Sequence, residues 1–479
     1  MRPRALASPA LHRAVHHALQ WIDGLDDRPV GSTVAPEDLR RRLGGPLPQS
    51  RTDAAAVIDE LVAATEGAHL GSVGGRFFAW VIGGALPAAL AADWLTSTWD
   101  QPSALYRCGP AASIVEEVAG AWVKELLDLP RDTSFAFTTG CQLAHFTALA
   151  AARHALLART GWNVEADGLC GAPPIRVLTS EHRHGSIDRA VRFLGIGTRS
   201  LIPLRTDADA RITMEALDDA FRESHGPTIV VLNAADLNVA AFDPFAELIP
   251  RAHAAGAWVH IDGAFGLFAR VSRAKRSLLA GVEAADSWAT DAHKWLNVPF
   301  DCGICIIRDR AAHRAAMTVS ASYMSPDSNA RDQIDWTPEW SRRSRGFAVY
   351  AALRELGAEG LEALIDDTCA HCRELVSGLG GLPGAESVVL PQLNQGLVRF
   401  RDPAPGAQDD DHDRYTDTVI QAINATGEAF FSGTTWKGRR AMRVSVVNWR
   451  TTSADVRRAI EAARLVLSTL SLTCATSVD

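Results

Sequence analysis

The sequence predicts an α/β fold: a mostly parallel central sheet with helices on both faces, followed by a small α+β region at the C-terminal end. Two observations predict it. Between about residues 110 and 310, amphipathic helical segments alternate with short apolar runs rich in β-branched residues, the layout of parallel strands joined by helices. Past about residue 345 the alternation stops, and a long helical stretch leads into a few strands divided by a polar, acidic loop.

Taken in order, MRPRALASPALHRAVHHALQWIDG carries Arg and His where a secretory signal needs an apolar run. It reads instead as an amphipathic helix with Leu11, Val15, Ala18 and Ile22 on one face. Residues 1–100 form an N-terminal helical segment, whose Ala-rich stretch ALPAALAADWL is expected to be buried. The most apolar run, Val81 to Leu95, is too short to span a bilayer. Residues 101–345 make the expected large α/β domain. SIVEEVAGAWVKELLDL and FAELIPRAHAAG carry apolar residues at three- and four-residue spacing and read as helices; PIRVLTS, PTIVVLN, AWVHIDG, ADSWATD and CGICIIR read as strands. Residues 346–479 make the small domain. It has the helix AVYAALRELGAEGLEALIDDTCAHCRELVSGL, the strands GLVRFRD and MRVSVVN, and a mobile loop over 402–414.

Composition sets the outer bounds. A chain of 479 residues, 47% hydrophobic and 22% charged, buries a large core without disulfides. A net charge of −8, with arginines scattered among acids, argues against a nucleic-acid binder. No membrane association is expected, and a cytoplasmic location is. Eight cysteines include two C-x-x-C pairs, 302/305 and 369/372, a spacing that raises zinc chemistry. The first pair lies on a strand, where alternation points the thiols to opposite faces. The second lies on a helix. Ordinary thiols are the reading taken, and no metal is expected.

In open α/β sheets ligands bind beyond the carboxyl ends of the strands, so the polar residues just after each strand carry the chemistry. ADSWATDAHKWLNVPFDCG places Lys294 beside His293, three residues after Asp291, among Trp, Leu, Val, Pro and Phe. Desolvation there favours a neutral, nucleophilic amine; the alternative is a surface lysine at a strand end. AWVHIDGAFG puts Asp262 at the end of an apolar strand. A buried carboxylate needs a cationic partner. The protonated ring nitrogen of pyridoxal 5′-phosphate (PLP) is one, and it turns the ring into an electron sink for a carbanion; an Asp that caps a turn is the alternative. In SFAFTTGCQLAHFTALAAAR, residues Thr138 to Gln142 form a small polar turn that opens a helix, a site suited to phosphate. His184, in TSEHRHGSIDRA, either stacks on an aromatic cofactor or caps the next helix.

In order and spacing these four segments resemble the group II PLP-dependent decarboxylases, which include aromatic-amino-acid, glutamate and histidine decarboxylases. The resemblance runs from about residue 30 to 470. It implies the PLP-dependent transferase fold of type I, the aspartate-aminotransferase kind. It also implies a carboxy-lyase that removes the α-carboxylate of an L-amino acid as CO2, acting as a homodimer with a shared active site. By the same resemblance Lys294 is the Schiff-base lysine, Asp262 the partner of the pyridine nitrogen, and His184 the stacking residue, with Ala264 on the opposite ring face. Thr139, Gly140, Cys141, Gln142 and His293 fall at the phosphate end, and Asp291 stands where the family often has Asn. Asn238 falls close to the cofactor. Phe78 and Trp80, in GRFFAWVIGG, become substrate-pocket residues, and Tyr106 a contribution from the partner subunit. Three features depart from the family: Cys141 and Gln142 replace small residues in the phosphate turn, Asp-Leu-Asn-Val-Ala-Ala replaces its Thr-Thr-x-x-Gly pattern before Phe242, and the catalytic loop differs. The family's decarboxylases carry a Tyr on that loop, here 321–343, that protonates the carbanion; the only Tyr of this loop is Tyr323, at its start rather than near Trp336. Relatives without that Tyr act as oxidative deaminases that release an aldehyde, which is the alternative reading.

Overall fold

The structure, a computed structural model, describes residues 8–223, 225–319 and 330–476; Tyr323 lies outside the described residues. Four helices come first: α1 (Ser8–Asp23), α2 (Pro36–Leu43), α3 (Ala54–Thr65) and α4 (Pro87–Trp99). Asp53 caps α3 by accepting the N–H groups of Ala55 and Ala56. Prolines open α2 and α4, where a missing N–H costs nothing. Helix α1 packs on α3 yet leaves Leu11, Val15 and Leu19 exposed. The burial expected for the Ala-rich stretch is corrected here. Its inner face lies against the long helix at 346–380, but within α4 only Ala89 and Thr96 are buried, and Trp94, Leu95 and Trp99 face outward.

The central sheet has seven strands: β1 (Ser134–Thr138), β2 (Arg176–Ser180), β3 (Leu201–Leu204), β4 (Thr228–Asn233), β5 (Trp258–Asp262), β6 (Ser287–Asp291) and β7 (Gly303–Ile307). Their spatial order is β1-β7-β6-β5-β4-β2-β3. Strands β2 to β6 are mutually parallel, and β7 runs antiparallel between β6 and β1. Every residue of β2, β4, β5 and β6 is buried, as strands covered on both faces require. Around the sheet lie α5 (Pro110–Leu126), α6 (Gly140–Ala158), α7 (Val164–Asp167), α8 (Gly185–Phe193), α9 (Met214–Glu223), α10 (Phe245–Ala254) and α11 (Arg310–Met317). Alternation splits the core in two: Leu232, Ile261 and Trp288 pack in one layer, and Val231, Trp258 and Leu149 in the other. Cys302 and Cys305 fall in different layers as well, and every described cysteine is a free thiol.

The C-terminal region begins with α12 (Gly346–Gly380) and continues with β8 (Ala385–Val389), β9 (Gln395–Phe400), α13 (Asp409–Ala425), β10 (Ser432–Trp436), β11 (Arg439–Ser445) and α14 (Ser453–Thr476). Its antiparallel sheet has the order β10-β11-β9-β8. The expected loop over 402–414 is corrected in part: α13 starts at Asp409. Gln408 and Asp411 form a capping box, and Asp409, Asp410 and Asp411 sit in the first turn, where the helix dipole favours acids. The N-terminal segment enters this region too. Phe77 bridges to Phe430, and Phe78 stacks on Phe431 at 5.3 Å inside the core that includes Phe400 and Val444.

Candidate active site

Strand register decides where the chemistry gathers. Gly303 of β7 stands opposite Asp291 of β6 on one side and Thr138 of β1 on the other. The turn carrying Lys294 and the N-terminus of α6 therefore meet at one end of the sheet. The Lys294 segment is pinned from three sides. The Trp295 indole donates to Thr368 of α12 at 2.9 Å. The Asn297 amide donates to the carbonyls of Trp295 and Val447. Its oxygen accepts the N–H groups of Gly84 and Trp449.

Beyond the parallel strands lies a cavity. His182 and His184 reach it after β2, Asn233 and Asp236 from the end of β4 and beyond, Asp262 and Ala264 from β5 and its turn, and Lys294 after β6. Arg443 enters from β11, and Trp80 from the N-terminal segment. Lys294 Nζ lies 3.0 Å from Asp291 Oδ2. The expectation of a neutral amine is thereby corrected: burial opposes the charge, but Asp291, Cys141 and Asp262 together raise the lysine above its ordinary value. Asp291 Oδ1 also accepts the Cys141 N–H at 2.6 Å, so a carboxylate occupies the N-terminal end of α6.

Asp262 is almost fully buried. Its Oδ1 accepts the Ala264 N–H at 3.2 Å and lies 3.5 Å from His145 Nε2. Burial would push this carboxyl up, but His145, by charge and hydrogen bond, with His184 and Lys294 behind it, holds it well below the usual carboxylate range. His184 caps α8, its Nδ1 accepting the Ser186 N–H at the helix start, and its ring also lines the cavity. Burial lowers its pKa and keeps it neutral. Gln142 donates to the Ser186 carbonyl, tying the starts of α6 and α8 together. Gly140 adopts a left-handed φ of +70° directly beside His293. The His293 ring accepts the Cys302 N–H and packs on Phe300, and burial lowers its pKa. The Thr139 hydroxyl donates to Glu339. Burial raises the Cys141 thiol, which stays protonated.

Three expected residues lie elsewhere. Phe78 is wholly enclosed in the C-terminal core, because it points away from Trp80 and packs on Phe431. Asn238 accepts the Thr434 hydroxyl at 2.8 Å and does not line the cavity. Tyr106 sits in a short turn, its N–H donating to Asp332, and does not line the cavity of its own chain. Four cavity or supporting residues carried no reading in the sequence: Arg443, Asp236, His182 and His145. The available signals were small, an Arg alternating with Met442 and Val444 in a buried strand, and an Asp two residues before Asn238. Asp236 is 2% exposed; Oδ1 accepts the N–H groups of Asn238 and Val239, and Oδ2 has no partner among the described residues.

The family model described as the pyridoxal-dependent decarboxylase conserved domain matches residues 37–402. The chain is 27% identical to an aromatic-L-amino-acid decarboxylase of Bacillus atrophaeus, over 93% of this chain and 92% of that one. It is 30% identical to an L-2,4-diaminobutyrate decarboxylase of Rhizobium meliloti, over 78% and 74%. Its fold is similar to a crystal structure of Oryza sativa TDC with PLP and tryptamine, with a TM-score of 0.91, 23% identity, and 98% and 99% of the two chains covered.

Proposed function

This chain belongs to the pyridoxal-dependent decarboxylase family, and from that premise we propose that its cavity removes the α-carboxylate of an L-amino acid as CO2, with Lys294 holding the cofactor. Membership makes the protein a PLP-dependent carboxy-lyase of amino acids. One observation carries the assignment of roles: an amine at Lys294 and an ionised carboxylate at Asp262 line the same cavity with His184 and Ala264. The residues suit the cofactor. Among the described residues Asp262 has no arginine or lysine ion pair, so its charge is available to a ring nitrogen. The Cys141 N–H at the start of α6 holds the Asp291 carboxylate, so this helix end attracts negative charge.

PLP, when bound, supplies a protonated pyridine ring that takes up the electron pair left at the α-carbon as CO2 departs. Asp262 holds the proton at the ring nitrogen. His184 and Ala264 close the two sides of the slot. Gly140, Cys141, Gln142 and His293, with the start of α6, receive the phosphate, and Thr139 and Asn238 shape the surrounding turns. Asp291 takes the proton that Lys294 must shed to act as a nucleophile. Arg443 receives the substrate carboxylate before it leaves. Lys294, once free again, would recover that proton from Asp291, 3.0 Å away, and deliver it to the α-carbon. Trp80 offers the side chain an apolar wall, and Asp236 a negative pole suited to a hydrogen-bond donor or an ammonium group.

The protein acts as a homodimer in this reading, with Tyr106 reaching the partner's cavity, and works in the cytoplasm. Trp80 is half exposed at the cavity mouth, which a second subunit would cover. Among the described residues no helix is long and apolar enough to cross a membrane.

Purified protein loaded with PLP is expected to absorb near ~420 nm, the region of a protonated imine of this cofactor. Lys294→Ala is expected to lose that band. Given a panel of L-amino acids, the loaded enzyme releases CO2 from at least one. Release from none overturns the decarboxylase reading, and aldehyde formed with uptake of O2 replaces simple decarboxylation by the oxidative alternative.

A further inference from the structure

Behind Asp262 a line of buried polar groups runs away from the cavity. His145, on α6, turns Nε2 toward Asp262 Oδ1, and its Nδ1 lies 2.9 Å from His260 Nε2. His260 Nδ1 lies 2.9 Å from Ser287 Oγ, which also accepts the Trp258 indole N–H at 2.9 Å. His145, His260 and Ser287 are 0% exposed and Trp258 is 1% exposed. The groups come from three elements, α6, β5 and β6, and His260 and Ser287 are register partners across β5 and β6. Apolar side chains would fill this space without the cost of burying polar atoms, so the chain of partners needs another explanation.

The two ends set every proton. An indole N–H only donates, so Ser287 Oγ accepts from Trp258 and its own hydrogen is free for His260 Nδ1. An ionised carboxylate only accepts, so His145 Nε2 carries the hydrogen that faces Asp262. Cys141 Sγ lies 3.4 Å from the same nitrogen but is a weaker acceptor. His260, which is neutral, is placed to donate from Nε2 to His145 Nδ1, leaving the His145 hydrogen on Nε2. All donors point the same way, from Trp258 toward Asp262. Burial pushes His260 down to about 3, so it does not take a second proton at neutral pH.

We propose that His145 is a positioning residue for Asp262, its proton fixed on Nε2 by the relay Trp258–Ser287–His260. This rests on the reading that Asp262 faces the ring nitrogen of the cofactor. The relay aims the carboxylate and adds a hydrogen bond to its ionised form. The ring nitrogen then holds its proton independently of the solution. The other titratable groups that face Asp262 are His184 after β2, Lys294 after β6, Cys141 on α6 and His260 beside it on β5.

The test loads PLP onto wild type, His145→Phe, His145→Asn, Ser287→Ala and Asp262→Asn, each checked for folding by circular dichroism. PLP affinity and the pH dependence of the bound cofactor's spectrum are then measured. Wild type is expected to show a spectrum that is flat across neutral and mildly alkaline pH. His145→Phe, which keeps a ring and loses both nitrogens, is expected to bind PLP about tenfold more weakly and to make the spectrum titrate. Ser287→Ala moves both readouts the same way by less, and His145→Asn, whose amide can still donate, recovers part of the loss. If Asp262→Asn loses affinity while His145→Phe and Ser287→Ala match wild type in both readouts, the relay is overturned. If Asp262→Asn also matches wild type, the reading of Asp262 fails, and the relay with it. Should His145→Phe not fold, Ser287→Ala alone decides: a wild-type affinity and a flat spectrum overturn the proposal.

Discussion

Arg443 is half-buried against the cavity, and the loss of solvent there pulls its guanidinium down to about 10, still charged at neutral pH. Its Nε and Nη2 donate to Gln395, which aims the group from β11. Arg443→Met is expected to lower kcat/KM by a factor of about 10 to 150, the ~1.5–3 kcal/mol of a hydrogen bond to a charged group. PLP affinity should be unchanged, and steady-state kinetics beside a cofactor titration check both. Asp243 makes a different case. It accepts the N–H groups of Ile212 and Asn233 at 2.7 Å, and burial pushes it up to about 7. A folded-state value above the unfolded ~3.9 means that the folded protein binds this proton more tightly. The stabilisation is therefore complete at low pH and declines as pH rises from about 4 to about 7, by at most ~1.4 kcal/mol for each tenfold fall in proton concentration. Denaturant unfolding of wild type and Asp243→Asn should show the wild-type advantage shrinking across that window. Among single residues, Lys294 and Asp262 were legible because each ends or follows an apolar strand. The charge of Lys294 was misjudged because its apolar neighbours dominate the segment, while Asp291 at 3.0 Å, with Cys141 and Asp262 from other segments, favours the charged form. His145 was invisible: it sits inside an Ala-rich helix, and its partner His260 lies far along the chain.

At the scale of elements, the site depends on β7 fitting closely against the turn that opens α6. A Cβ added to Gly303 would lie 2.2 Å from the Gly140 carbonyl carbon and 2.7 Å from the Cys141 nitrogen. Gly303→Ala is expected to cost ~1–3 kcal/mol, the range for overpacking a tight interior. It should also weaken PLP binding, because the strain falls on the phosphate turn itself; thermal unfolding and a cofactor titration measure the two effects. Strands β2, β4, β5 and β7 were legible from their β-branched runs, and β6 was read as a strand with only Thr290 of that kind. The edge strand β3 was not, being only LIPL with a proline inside. Neither were β8 and β10, whose alternating exposure and small polar residues leave little apolar signal. The reversed direction of β7 has no sequence signature, since CGICIIR reads the same in either orientation.

Taken as a whole, the molecule leaves apolar side chains of its N-terminal helices uncovered: Leu11, Val15 and Leu19 on α1, Val57 and Leu61 on α3, and Trp94, Leu95 and Trp99 on α4. A second copy is the expected cover, and a stable interface of this kind buries about 1,200–2,000 Å² or more. Sedimentation velocity should show a dimer for wild type and a shift toward monomer for Leu11→Glu/Leu19→Glu, with the helical signal of the large sheet's layers retained. The Phe78–Phe431 contact carries a further consequence, for synthesis. The ribosome releases Phe78 more than 350 residues before Phe431, Val444 and their neighbours in that pocket. Until those residues emerge, the Phe78 ring waits in water for partners that do not yet exist, the situation that exposes nascent chains to aggregation. A chain stopped before β10 is therefore expected to scatter light and sediment as aggregate rather than persist as a soluble fragment.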